Sequence, residues 1–443
     1  MNLPLSTPDL PGIGGRIKFR NEDFFVQEIP AYEPGGEGEH VYAEVQKVGL
    51  TTFDLVNRLS DALRVPSRDI GFAGLKDARA VSRQVLSIPG VTEDKVMGLR
   101  LPNVQVMWAA RHNNKLRLGH LVGNRFAIKV RDVEPTDVVK AERVVQKLQQ
   151  RGMPNYFGEQ RFGMRGNNHL LGAALIREDN KEVLRLLLGD PKPAVDRDQY
   201  VLRARTAFEA RNNDEAMRYL PRKLGLERRI LHRLIKTGKP GAAVRAIDEK
   251  LRRLWISALQ SQMFNDVLAK RIDSYDKVFV GDWAYKHDNG AAFKVEDPAA
   301  DQPRADAHEI SPTGPLIGYR MSTPEGEPGA IESAVLEGYG LKAEQFRSSG
   351  KHRVKGARRP LRVFPTDMNF AGGVDEHGPH VTLAFTLPAG SFATVLLAEV
   401  MKAKVAAAEA DAAGGDDDEA GDDVDVPGDA EGASTDAPPL NDD

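Results

Sequence analysis

The chain contains no cysteine. That excludes disulfides, cysteine-ligated zinc, iron–sulfur clusters and every thiol nucleophile, and it fits a reducing compartment. No apolar run approaches the ~18–20 residues that a membrane-spanning helix needs. The N-terminus, MNLPLSTPDLPGIGGRIKF, lacks the charged-then-apolar shape of a signal peptide, which predicts a cytoplasmic location. There is no G-x-x-x-x-G-K-[ST] phosphate loop and no strand-linked G-x-G-x-x-G, so nucleotide hydrolysis and dinucleotide redox chemistry lose their usual signatures. Gly12-Ile13-Gly14-Gly15 reads as a turn. His377 and His380, with a proline between them and no third ligand nearby, read as loop histidines. No serine occupies a nucleophile elbow.

Charge is plentiful, and it is segregated. The 443 residues include 61 Lys+Arg and 64 Asp+Glu, a formal net charge of −3. Residues 405–443 hold 14 of the acids and no Lys or Arg, which leaves 61 bases against 50 acids in residues 1–404, a net of +11. The tail is rich in Ala, Gly, Asp and Pro and lacks aromatics. It cannot bury enough apolar surface to offset its chain entropy, so disorder is expected from about residue 404 onwards. A basic body with an acidic tail points to a polyanion partner, nucleic acid first, although such a charge is also ordinary among soluble enzymes.

The first 150 residues read as mixed α and β. Arg16–Arg20, Phe24–Ile29 and His40–Lys47 read as strands, the last with a clear period of two. Thr51 or Thr52 caps a helix that aligns Leu55, Val56, Leu59 and Leu63 and stops at Pro66. Strands follow at Val81–Ile88, Val104–Ala110 and Arg125–Arg131, then an amphipathic helix from about Asp137 to Arg151 with Gly152 as its stop. Residues 153–275 read as mostly helical, the longest helix covering about Asp248–Ile272. A hairpin with an Asn289-Gly290 turn follows, then a Pro/Gly-rich stretch over 298–330. Beyond about 356 the strands return, at Leu361–Phe364 and His380–Leu387, with a short helix near Phe392–Lys402. This layout predicts a β-rich α+β domain interrupted by a largely helical insertion.

Three stretches carry chemistry. In Gly71–Gln84 (GFAGLKDARAVSRQ) a single acid, Asp77, stands among Lys76, Arg79 and Arg83. Those cations favour the ionised carboxylate and would attract phosphate. Asp77 reads either as a nucleophile or base, or as a turn residue paired with a neighbouring cation. Arg111–Arg131 has six Lys/Arg and no acid. There Phe126, Ile128 and Val130 share one strand face, and Arg125, Lys129 and Arg131 the other, a candidate track for an RNA backbone. Phe126 itself reads as the start of a core stripe. Asn155–Gly163 (NYFGEQRFG) interleaves aromatics with Arg and amides, as RNA-stacking surfaces and ordinary domain-junction packing both do.

Together these stretches resemble the TruD family of tRNA pseudouridine synthases over about residues 12–402. The motifs are Lys18-Phe19-Arg20-Asn21-Glu22-Asp23-Phe24, the GLKD segment ending in Ala80 and Gln84, Gly123-Asn124-Arg125-Phe126, NYFGEQRFG, and Leu387-Pro388-Ala389-Gly390-Ser391-Phe392-Ala393-Thr394. The resemblance implies a pseudouridine-synthase-type catalytic domain with a mixed, mainly antiparallel sheet, in two parts (1–152 and 356–403). An inserted TRUD domain would occupy 153–355, with the acidic tail from 404 onwards. It also implies isomerisation of uridine in tRNA, typically at position 13, with no cofactor and no metal. The family's catalytic aspartate falls on Asp77. Its substrate-lining positions fall on Phe24, Asn124 and Phe392, its aromatic near the target base on Phe126, and its lysine beside the aspartate on Lys18. Asn21 stands where the family usually has Pro, Ser82 where Thr is common, and 195–247 is longer than in the shortest members.

The residue types suit that reaction. The N-glycosidic bond breaks, the uracil turns, and C5 joins C1′ before losing its proton. Only the substrate's own atoms are exchanged. Asp77 could attack the sugar or remove a sugar proton, and Lys18 would hold it charged. Uridine C5 methylation normally uses a cysteine adduct, which this chain cannot form. The remaining alternative is a non-catalytic RNA-binding or RNA-folding protein on the same scaffold.

Overall fold

The structure, a computed structural model, describes residues 3–348 and 354–403. The acidic tail lies outside the described residues. The described chain forms two compact units. One takes in 3–161, 268–276 and 361–403, and the other 162–267, 277–348 and 354–360. The insertion expected at 153–355 overlaps the second unit, but 153–161 and 268–276 group with the first. Arg151 and Tyr275 account for part of that return: the Arg151 guanidinium pairs with Asp276 at 2.7 Å, and the Tyr275 hydroxyl donates to the Gly152 carbonyl at 2.7 Å.

The first unit is built on an eight-stranded mixed sheet. Its strands are β1 (Phe24–Pro30), β2 (His40–Val48), β3 (Gly71–Phe72), β4 (Val81–Pro89), β5 (Val104–His112), β6 (Leu121–Arg131), β7 (Thr366–Asp375) and β8 (Gly378–Pro388). The order is β7-β8-β6-β1-β4-β2-β5, with β3 also on β4. Only β1 and β4 run parallel; every other pair is antiparallel. Alternation turns Val41, Ala43 and Val45 of β2 and Leu86 and Ile88 of β4 to one face. There they bury Leu55, Val56, Leu59 and Leu63 of α1 (Thr52–Leu63). Burying each such side chain contributes roughly 1.5–3 kcal/mol. Thr51 starts α1 with a capping box: its hydroxyl accepts from Asp54 N at 3.0 Å, and the Asp54 carboxylate accepts from Thr51 N at 2.9 Å. Elsewhere in the unit, α2 (Val138–Arg151) packs on a C-terminal helix, Ala393–Met401.

Two expectations change here. Arg16–Arg20 is not a strand: Arg16 makes a single bridge to Arg131, and Lys18 has φ 55°, a left-handed conformation that breaks an extended run. Leu361–Phe364 shrinks to a two-residue strand, Arg362–Val363, paired with Met153–Pro154. The full strand lies further on, at β7.

The second unit is largely helical. It includes α3 (Gln199–Glu209), α4 (Asn213–Tyr219), α5 (Gly225–Thr237) and the long α6 (Glu249–Lys270). From α6, Trp255, Leu259 and Met263 enter a core with Leu171, Leu184, Ile230 and Leu231. A four-stranded sheet accompanies the helices, including the hairpin of Trp283–Lys286 and Ala292–Lys294. The Pro/Gly-rich stretch is more ordered than its composition suggests, for it contains the strand Ile310–Leu316. The first half of that strand pairs with 284–286 and the second with 357–360. Each half therefore keeps one side open, where Pro312 and Pro315 need not donate. For numbering, the Ala393–Met401 helix is α7.

Candidate active site

Asp77 lies in the loop between β3 and β4, its side chain 44% exposed. The Lys18 ammonium donates to its Oδ2 at 2.7 Å and also sits 4.5 Å from the centroid of the Phe24 ring. One lysine, 13% exposed, is thus held between a carboxylate and an aromatic face. Behind it runs an aromatic row. Phe24 meets Phe126 edge-on at 6.3 Å, and Phe126 stacks on Phe385 at 5.3 Å. Phe126 is buried, with one face covered by Phe385. The left-handed backbone at Lys18 costs a non-glycine residue roughly 1–2 kcal/mol. Arg79 helps to hold it, donating to the Lys18 carbonyl at 3.2 Å. Lys18 and the aspartate loop clasp each other with side chains that run in opposite directions.

The cations next to Asp77 in sequence do not pair with it. Neighbours along an extended segment point to opposite sides, so exposing Asp77 turns Lys76 inward. There Lys76 forms a buried 2.7 Å ion pair with Glu28, whose other oxygen accepts from Val85 N at 3.3 Å. Arg83 donates to Gln46 at 2.9 Å and lies over the Phe25 ring. The cationic face along β6 is also largely neutralised. Arg131 is buried and bonds Asp23 at 2.6 Å and Asp375 at 2.7 Å, and Lys129 bonds Asp375 at 2.8 Å. Burial alone would push Asp23 up, but the Arg131 hydrogen bonds and charge reverse this and hold its carboxyl below 3.8. Asp375 is held well below the usual carboxylate range by its hydrogen bonds to Arg131 and Lys129. Of the three strand cations, Arg125 alone is exposed.

The corner between β2 and α1 supports the aspartate loop from beneath. Lys47 is fully buried. Its ammonium donates to the Asp77 carbonyl and to Ser82 Oγ, both at 3.0 Å, and to the Leu50 carbonyl at 2.5 Å. Burial pushes the Lys47 ammonium down to about 8, against the opposing pull of the Asp77 charge. On one side of Asp77, Lys76 N donates to Thr52 Oγ1 at 2.9 Å; on the other, Gly49 N donates to the Ala80 carbonyl at 3.2 Å. The Thr52 hydroxyl in turn donates to Gln84 Oε1 at 3.0 Å. Sequence reasoning missed this cradle. The signal was present, since Lys47 falls in phase with Val41, Ala43 and Val45 on the inward side of β2.

Asn124 and Phe392 are not in direct contact with the Lys18–Asp77 pair. Among the described residues, neither makes a hydrogen bond or ring contact with Lys18, Phe24 or Asp77. Register places Asn124 opposite Glu28 on β1 and Leu387 on β8. Its side-chain oxygen is buried without a partner, and so are Thr386 Oγ1 and Ser391 Oγ nearby on the chain leading into α7. A buried acceptor left unmatched costs roughly 1–3 kcal/mol, so such atoms mark a place where an incoming group can bond. Phe392, just before α7, lies 5.9 Å from Phe157. A Cβ on Gly158 would come within 3.1 Å of the Phe392 ring, so the glycine lets the NYFGEQRFG segment close on it. Among the described residues no group of three His, Asp or Glu is placed to hold a metal ion, and no helix is long and apolar enough to cross a membrane.

The geometry thus sets an exposed aspartate, paired with one lysine, beside a mixed sheet whose strands carry aromatic and amide side chains. The family profile described as tRNA pseudouridine synthase D (TruD) matches residues 1–400. A tRNA pseudouridine synthase D from Geobacter metallireducens is 46% identical over 399 residues, covering 89% of this chain and 97% of the relative. One from Thermus thermophilus is 40% identical over 402 residues, covering 90% and 92%. A crystal structure from Methanosarcina mazei assigned to TruD superposes with a TM-score of 0.79 at 29% identity, covering 91% of this chain and 96% of its own. The chain belongs to the TruD family of tRNA pseudouridine synthases.

Proposed function

We propose that this chain isomerises uridine to pseudouridine in tRNA, at position 13, with Asp77 as the catalytic carboxylate and without cofactor or metal. The reading rests on the Lys18–Asp77 pair, which presents a charge-paired carboxylate at the surface while the largely enclosed lysine lies against Phe24. The enzyme acts in the cytoplasm, and within residues 153–355 the family's inserted domain corresponds to the second compact unit, 162–267 and 277–348. The target nucleotide leaves its stack, at a cost of a few kcal/mol. Phe24, Phe126 and Phe392 line its site, where each base–aromatic contact returns roughly 1–3 kcal/mol. Asn124 Oδ1 accepts the uracil N3–H, satisfying an atom that otherwise lacks a partner.

Asp77 then either attacks C1′, displacing N1 and leaving again as C5 attacks C1′, or removes a sugar proton as the C1′–N1 bond breaks and returns it when C5 joins C1′. In both routes the uracil turns between the two steps, and the C5 proton is released at the end. Lys18 stabilises the carboxylate before and after the step. The acidic tail competes with RNA for the basic body, a role tested by the affinity of a chain ending at residue 404 for unrelated RNA. The function is tested with C5-tritiated tRNA. Wild type releases tritium in step with pseudouridine formed at position 13, while Asp77→Ala releases none and still binds tRNA. Equal release by both proteins would refute the role of Asp77. No release by wild type would favour the non-catalytic RNA binder.

A further inference from the structure

The helical unit carries cations for which the site around Asp77 has no use. α5 buries Ile230 and Leu231. On its outer side Arg229, His232, Arg233 and Lys236 recur at i, i+3, i+4 and i+7, a spacing that sets them in one stripe. All four are exposed, as are Arg222 and Lys223 just ahead of the helix and Lys239 just past its left-handed cap at Gly238. Among the described residues, Arg222, Arg229, Arg233, Lys236 and Lys239 have no ion-pair partner, and Lys223 reaches Asp198 at 3.5 Å. Arg228 marks the contrast. It is half-buried, and its guanidinium donates to the carbonyls of Met217 and Leu220, tying α4 to α5.

A merely solvated helix face mixes its signs, because like charges three and four residues apart weaken the helix. Glu227 is the one acid on α5. The helix dipole favours Lys236 in the last turn, but it disfavours cations towards the N-terminal end, where Arg222, Lys223 and Arg229 stand. Beside that end opens a cleft of about 750 Å³ lined by Tyr200, Tyr219, Arg218 and Arg222, with Asp198 and Asp214 also on its wall. Tyr200 is 52% exposed. Cations with interleaved aromatics suit RNA, whose unstacked bases lie on rings while its phosphates meet the charges. From Arg229 to Lys236 the axis advances about 10 Å, enough to follow two or three successive phosphates.

We infer that the α5 stripe is a second RNA contact surface, taking tRNA phosphates in addition to the contacts made at the Asp77 site. The inference rests on the proposed tRNA substrate. Its test compares full-length wild type, a stripe variant (R229A/R233A/K236A) and a variant of equal net charge (R185A/R253A/R304A). The cations removed in the latter are paired with Glu182, Glu249 and Asp301. Each phosphate contact multiplies the affinity lost between about 50 and 200 mM salt roughly 3-fold. The stripe variant is therefore expected to lose about 30-fold less over that range than wild type, and to bind tRNA at least ~10-fold more weakly at the lower salt. The charge-matched variant should follow wild type, and all three should share one single-turnover rate at saturating tRNA. An unchanged affinity and salt slope in the stripe variant would overturn the inference, and so would equal changes in both triple variants. Phosphatidylserine vesicle binding that depends on the stripe, with tRNA affinity unaltered, would assign the surface to membranes instead. If wild type forms no pseudouridine, the proposed function fails, but the affinity comparison still decides the surface.

Discussion

Replacing Lys47 by Met keeps the length of the side chain and removes its ammonium. Its three nearest acceptors then lose a charged donor: the carbonyls of Asp77 and Leu50 and the hydroxyl of Ser82. At roughly 1.5–3 kcal/mol for each bond to a charged donor, this costs about 4.5 kcal/mol or more. Against it stands the desolvation of a buried ammonium, whose fall from 10.5 to about 8 is worth roughly 3 kcal/mol at about 1.4 kcal/mol per unit. The relief offsets only part of the loss, so the melting temperature should fall by a few degrees at the lower end of that range. Catalysis should not escape, because the Asp77 main chain loses its anchor, and a displacement of about 1 Å can cost ~100-fold in rate. Single-turnover tritium release from C5-tritiated tRNA should therefore fall about 100-fold, with the tRNA dissociation constant within about 3-fold of wild type. A pH series sharpens the test. Since the folded value lies below the unfolded 10.5, the native protein binds fewer protons than the unfolded chain between about pH 8 and 10.5, and this group's contribution to stability rises across that window. Wild-type activity should nonetheless fall as pH passes about 8 and the ammonium loses a donor, while the Met variant shows no such step. A folded variant with the wild-type single-turnover rate at pH 7 would refute the reasoning.

Lys18→Met removes a charge-assisted bond worth roughly 1.5–3 kcal/mol, so kcat should drop about 10- to 100-fold in the same assay; an unchanged kcat would dissociate Lys18 from the chemistry. Asn124→Ala discards a buried oxygen that has no partner, so thermal melting should be unchanged or higher while kcat/KM falls about 10-fold. A lower melting point with unaltered kcat/KM would contradict that assignment. Arg131→Met strands the buried Asp23, leaves Asp375 to Lys129 alone, and should cost roughly 3–5 kcal/mol in urea unfolding through Asp23. Both carboxyls are held below 3.8 in the fold, so their stabilising effect is complete above that value and disappears as pH falls through the folded values. Wild type should consequently lose more stability below about pH 4 than the Arg131 variant does.

The relative positions of these groups were unevenly legible in the sequence. Period-two alternation in HVYAEVQK and the spacing of Leu55, Val56, Leu59 and Leu63 marked β2 and α1, because a half-buried strand and an amphipathic helix each have one repeat. β7 was missed. Its Gly372-Gly373 pair lowers strand propensity, and its place comes from pairing with β8 and from close packing, since a Cβ on Gly372 would lie 2.1 Å from the Pro135 carbonyl oxygen.

By itself the sequence determined the residue types: a lone aspartate in a glycine-bearing loop, a chain without thiols, and aromatics and amides in a recognisable order. Only the tertiary structure decided which charges meet. Lys76, adjacent to Asp77, went inward to Glu28, and Lys18, 59 residues before Asp77, took its carboxylate. Arg131 was claimed by acids 108 and 244 positions away. The reason is physical: a burial pattern repeats locally and can be read along the chain, whereas a buried charge must find its counter-ion in space, and the chain's return path chooses which one arrives.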